Sequence, residues 1–136
     1  MANMDIEKVE GIGPAYGEKL RGAGVKNTDG LLTGGGTKAG RSKIAKETGI
    51  SETQILKWVN MVDLFRIKGV GSEFAELLEA AGVDTVKELA TRNAANLATK
   101  MAEINAQKKL TRAVPSESVV AGWIASAKEL PAKVSH

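Results

Sequence analysis

The sequence predicts an all-α protein, built as two repeats packed with pseudo-twofold symmetry into one compact domain. Three observations predict it. First, one short motif occurs twice. Val9-Glu10-Gly11-Ile12-Gly13-Pro14-Ala15-Tyr16-Gly17-Glu18-Lys19-Leu20 leads to Ala23-Gly24-Val25, and Ile67-Lys68-Gly69-Val70-Gly71-Ser72-Glu73-Phe74-Ala75-Glu76-Leu77-Leu78 leads to Ala81-Gly82-Val83; the two align without a gap at a spacing of 58 residues. Second, apolar residues recur at helical spacing: Ile55, Leu56, Val59 and Val62 share a face, as do Val120, Trp123, Ile124 and Ala127, and strand-like alternation is absent. Third, aromatics make up 4% of a chain that is 43% apolar, so Ala, Leu, Val and Ile must fill the core, which suits closely packed helices.

In chain order, the first motif joins two short helices through a tight Gly-apolar-Gly turn, with Pro14 in the first turn of the second helix, where its missing N–H is no loss. Gly24 ends that helix, as Gly82 ends its counterpart, in the left-handed conformation that glycine adopts most easily. Gly34-Gly35-Gly36 reads as a flexible loop. Thr37 caps a helix over 38–48 that Gly49 stops. Ser51 with Gln54 forms a capping box ahead of Ile55, Leu56, Trp58 and Val59. This long helix is expected to run into Asp63-Leu64-Phe65-Arg66-Ile67, the first helix of the second motif, as a rigid join. Asn93 caps a helix over 94–109, and Ser116, after Pro115, caps the last helix.

Trp58 and Trp123 each fall seven residues after a capping serine, at a mutual spacing of 65. Each half therefore reads as short helix, glycine turn, helix, linker, helix and Trp-bearing helix. The expected repeats are 1–62 and 63–130, followed by a flexible tail, 131–136. Ile12/Val70, Tyr16/Phe74, Leu20/Leu78 and Val25/Val83 are matched core positions through which the halves would pack face to face. Gly17 stands where the second copy has Ala75, and a mid-helix glycine costs about 1 kcal/mol relative to alanine; Gly22, Gly30 and Gly122 pose the same question.

The formal net charge of +3 permits nucleic-acid binding without demanding it. Lys38, Arg41, Lys43 and Lys46 form a basic stretch; Lys100, Lys108, Lys109 and Arg112 form another, diluted by Glu103. Glu73, Glu76, Glu79, Asp84 and Glu88 form an acidic stretch, countered by Lys87. With no cysteine, disulfides and thiolate metal sites are excluded. The sole histidine is His136, so haem ligation by paired histidines within one chain is excluded too. Gly34-Gly35-Gly36-Thr37-Lys38 lacks the spacing of a phosphate loop, and no strand leads into Gly11-x-Gly13 as a dinucleotide fingerprint requires. No catalytic residue, metal or cofactor is expected. No apolar run approaches the ~18 residues that span a bilayer, and Met1-Ala2-Asn3-Met4-Asp5 has no signal-segment pattern; the expectation is a soluble, cytoplasmic protein without a membrane partner.

The two glycine-turn segments resemble the helix-hairpin-helix motif of DNA polymerases, ligases and repair nucleases. The whole chain resembles a tandem helix-hairpin-helix protein of a bacterial, cyanobacteria-rich domain-of-unknown-function family. The resemblance implies that turn N–H groups contact phosphate oxygens without reading bases, and that turn carbonyls hold a monovalent cation in some members. Carried over by position, the first contact set is Gly11, Ile12, Gly13 and Ala15, with Lys19 and Arg21 nearby. The second is Gly69, Val70, Gly71 and Glu73, with Lys68 nearby. DNA-binding copies often place Lys or Arg in the first turn of the second helix, where this chain has Ala15 and Tyr16, and Glu73 and Phe74.

The expected function is a non-catalytic module with weak, sequence-independent binding to DNA or RNA. Its candidate contacts are Gly11, Ile12, Gly13, Ala15, Lys19, Arg21, Lys38, Arg41, Lys43, Lys46, Lys68, Gly69 and Gly71. The alternative is a protein-interaction or dimerisation scaffold, whose partner is another protein or a second copy. Trp58 and Trp123 read as core or inter-repeat residues, with base stacking as the other option.

Overall fold

A computed structural model describes residues 3–136; Met1 and Ala2, which begin the expected first repeat and the segment without a signal pattern, lie outside the described residues. Among these residues there is no strand, and the one extended pairing is an isolated antiparallel bridge between Asp5 and Asn27. A 3-10 turn, Ile6–Lys8, precedes eight α-helices: α1 (Gly13–Gly22), α2 (Thr28–Gly35), α3 (Lys38–Thr48), α4 (Glu52–Leu64), α5 (Ser72–Ala80), α6 (Val86–Leu89), α7 (Ala94–Lys108) and α8 (Glu117–Glu129). No helix among them is long and apolar enough to cross a membrane.

Local chemistry sets the helix starts. A side-chain oxygen satisfies an otherwise orphaned amide in the first turn: Asn27 accepts from Gly30, Thr37 from Gly40, Ser51 from Gln54, Asn93 from Asn96 and Ser116 from Val119. The ends of α1 and α5 are closed alike. Val25 N–H donates to Leu20 O at 2.9 Å and Gly24 N–H to Arg21 O at 3.0 Å, while Val83 N–H donates to Leu78 O at 2.8 Å and Gly82 N–H to Glu79 O at 2.9 Å. These are the paired bonds of a Schellman motif, which require a left-handed residue at Gly24 and Gly82.

The chain divides into two units. One runs to Asp63 and takes in Lys133–His136; the other is Leu64–Ala132. In the first, α1 packs on the 3-10 turn and α3, and α2 packs on α3, around buried Ile6, Leu20, Leu31, Ile55 and Trp58. In the second, α7 packs on α5 and α8, and α6 on α8, around Leu77, Leu78, Leu89, Met101 and Val120.

Three local expectations are corrected. Gly34 and Gly35 are not a loop: they end α2, and Gly36 is its C-cap. Missing side chains let neighbours close in at Gly35, where a Cβ would lie 2.7 Å from Val59 Cγ2, and at Gly40 of α3, where one would overlap Gly34 O. The tail is tied down rather than frayed. Ser135 N–H donates to Gly36 O at 2.8 Å, and a Cβ on Gly36 would sit 2.5 Å from Lys133 O. Tyr16 is not a core residue but 41% exposed, its ring meeting Trp58 nearly edge-on at 5.1 Å between centroids.

The glycine at position 17 has a packing reason. The Glu7 stem crosses α1 there, and an alanine Cβ would stand 2.5 Å from Glu7 Cγ. Gly22 and Gly122 have open space instead.

Candidate nucleic-acid interface

Each glycine turn reverses the chain at one left-handed residue. Gly11 has φ +89° and Gly69 φ +93°, values that put any Cβ against the following carbonyl and so favour glycine. The next residue closes the turn: Ile12 N–H donates to Val9 O, and Val70 N–H to Ile67 O, both at 3.1 Å. Ile12 and Val70 are buried. Ile12 therefore departs from the expected contact set, because its amide is committed inside the turn. Gly11 and Gly69 lie on the surface, and the amides of Gly11 and Gly13 have no acceptor among the described residues.

The two turns part company at the second glycine. Gly13 is left-handed, with φ +60°, and opens α1; Gly71 is extended, with φ −102°, as the N-cap of α5. The partly exposed starts of these helices carry the positive end of the helix dipole, roughly half an elementary charge. No acid lies in the first turn of α1, where Ala15 is exposed, whereas Glu73 stands in the first turn of α5. Ahead of the turns the signs reverse: exposed Glu10 precedes Gly11, and exposed Lys68 precedes Gly69.

A tryptophan backs each turn. Trp58 Nε1 lies 3.4 Å from the point that a Cβ on Gly11 would occupy, and Trp123 Nε1 stands in the same relation to Gly69. Trp58 also meets Tyr16 of α1, and Trp123 meets Phe74 of α5 at 5.3 Å. The sequence marks both tryptophans as core residues but gives no sign of which ring edge faces the turn. The only available signal is their common place seven residues after a capping serine.

The cations sort into free and committed. Lys19 on α1 and Lys38, Lys43 and Lys46 on α3 are exposed, in the unit that carries the Gly11 turn. Arg21 is drawn back onto the 3-10 turn, at 2.6 Å from Glu7 and 3.8 Å from Asp5. Arg41 corrects the reading of a wholly exposed basic stretch. It is 3% exposed, and its guanidinium donates to Gly35 O at 2.9 Å and Ser135 O at 2.7 Å. Arg41 precedes buried Ile44 by three residues, so the two share the inward face of α3. Lys68, Gly69 and Gly71 belong to the other unit. That unit also holds a shallow pocket of about 190 Å³ lined by Thr91, Arg92, Asn93, Asn96, Leu97 and Lys100, where Arg92 is already held by Glu88 and by Gly82 O, each at 2.8 Å.

Fold and site together define an all-helical protein with two exposed glycine turns, each backed by a tryptophan. The sequence pattern of the DUF4332 family, a domain of unknown function, matches residues 10–130, and the chain belongs to that family. No curated protein matches the chain, and no solved structure matches it.

Proposed function

We propose that the chain is a non-catalytic tandem helix-hairpin-helix module that holds the phosphate backbone of nucleic acid, weakly and without sequence preference, through its first turn. One observation carries this reading. The Gly11 turn lies on the surface with the amides of Gly11 and Gly13 unengaged, at the start of a helix whose first turn holds no acid. Backbone amides at a helix start suit an oxyanion, and they contact phosphate identically whatever the base. Lys19, Lys38, Lys43 and Lys46 supply mobile positive charge in the same unit. Glu73 makes the second turn the weaker candidate, because a carboxylate there satisfies the helix start and repels a second anion.

The test is retention of labelled duplexes of unrelated sequence at 50 mM salt. The expected result is equal affinity for all of them, and loss of binding in a Lys38→Glu, Lys43→Glu, Lys46→Glu variant. Strong preference for one sequence, or binding indifferent to the triple reversal, contradicts the reading.

A second reading, a protein-interaction scaffold, is favoured by exposed Val114, ahead of α8, and exposed Val119 in its first turn. A mass that rises with concentration and falls on Val119→Asp substitution supports it.

A further inference from the structure

A buried indole N–H ordinarily finds an acceptor, because a donor stripped of water and left unpaired is costly. Trp58 is 1% exposed and Trp123 5% exposed, yet neither indole N–H donates to an acceptor among the described residues. Nor is either fully enclosed: the sealed, unpartnered side-chain polar atom found among these residues is Asn60 Oδ1. Each N–H is thus unpaired without being sealed, and each lies beside the same point of its turn. Nε1 is the nearest heavy atom to the point where a Cβ would stand on Gly11 or Gly69, at 3.4 Å in both. The two tryptophans reach this position from different distances along the chain, so the arrangement recurs despite a change in the intervening length.

We infer that Trp58 supplies a fixed indole N–H donor to a phosphate oxygen seated on the Gly11 turn. The inference rests on the anion-binding reading of that turn and adds a side-chain donor to it. A phosphate group presents two or more free oxygens, so one can take the backbone amides while another takes the indole. The donor is held in advance by burial of the ring and by its contact with Tyr16. Little motion is therefore lost on binding, which is how preorganised groups gain affinity. Trp123 has the same placement, but exposed Glu73 in the first turn of α5 keeps a second anion away. The ligand chemistry is a phosphate oxyanion, from a nucleic-acid backbone or from free phosphate.

The test uses the unaltered chain labelled with nitrogen-15. It contains two tryptophans, so its indole N–H region has two resonances; Trp58→Phe identifies one by its disappearance. Inorganic phosphate and duplex DNA are titrated in separate series at constant ionic strength, with chloride and acetate as controls. The expected result is a saturable shift of the Trp58 indole together with the Gly11 and Gly13 amides, and a still Trp123 indole that begins to respond in Glu73→Ala. Trp58→Phe should weaken phosphate binding about tenfold, the scale of one hydrogen bond to a charged group. A response to DNA and phosphate alike assigns the backbone as the source; a response to phosphate alone assigns free phosphate. If the Gly11 and Gly13 amides move while the Trp58 indole does not, the inference is overturned and the turn reading stands. If none of them moves, the turn reading falls and takes the inference with it. An equal response to acetate overturns the assignment to phosphate.

Discussion

Trp58 stands behind Gly11 with its indole nitrogen 3.4 Å from the space where a side chain at position 11 would begin. The demand for glycine comes from φ of +89°, since a Cβ there would only touch the ring at ordinary contact distance. Gly69 and Trp123 repeat the arrangement with φ +93° and the same distance. The turn, its supporting ring and the start of the following helix act as one unit of structure.

Gly11→Ala should destabilise the fold by about 1–2 kcal/mol, the strain of a left-handed non-glycine residue. Gly122→Ala, in α8 with open space around it, should stabilise by about 0.5–1 kcal/mol. Urea unfolding of the two variants checks the opposite signs, and equal effects would contradict the account of the turn.

Arg41→Met should lower stability by about 1–3 kcal/mol, because the buried carbonyl of Gly35 loses its donor where little water can replace it and the tail loses its tie at Ser135. Its affinity for DNA should stay unchanged while the variant is folded. A binding loss without a stability loss would return Arg41 to the surface contacts.

Lys109 ends α7 with φ 51° and ψ 48°, a conformation in which lysine is strained and glycine is not. Lys109→Gly should raise the unfolding free energy by about 1 kcal/mol, less the entropy that glycine adds to the unfolded chain. Chemical denaturation measures it, and a loss of stability would contradict the assignment.

Glu10 is exposed beside the first turn and opposes an approaching phosphate. Glu10→Lys should tighten DNA binding and steepen its salt dependence by about 0.9 in log–log slope, one additional phosphate neutralised. Unchanged affinity would place the bound backbone away from Gly11.

Much of the fold is legible because it is local. The caps at Thr37, Ser51, Asn93 and Ser116 bond an amide three residues on, a pattern that a short stretch of sequence contains. The closures at Gly24 and Gly82 are of the same kind. What escaped depends on distant partners. Arg41 looks like one more cation in a basic run, and its acceptor Ser135 is 94 residues away. α2 has three glycines, poor helix formers, and is held by packing of Gly35 on Val59 and of α3 against Gly34. Tyr16 aligns with Phe74, yet it is exposed and meets the Trp58 ring from α1. At the candidate site, the glycines announced the turns, but which amides stay unengaged, and which edge of each tryptophan faces them, emerged only from three-dimensional geometry.

The most direct measurement is the affinity of the unaltered chain for a duplex across a series of salt concentrations from 50 to 200 mM. The expected result is a linear fall of log affinity with log salt at a slope of about −3, as three or four phosphates are neutralised by the first turn and the exposed lysines of its unit. Absence of binding at 50 mM salt, or a slope near zero, would contradict it.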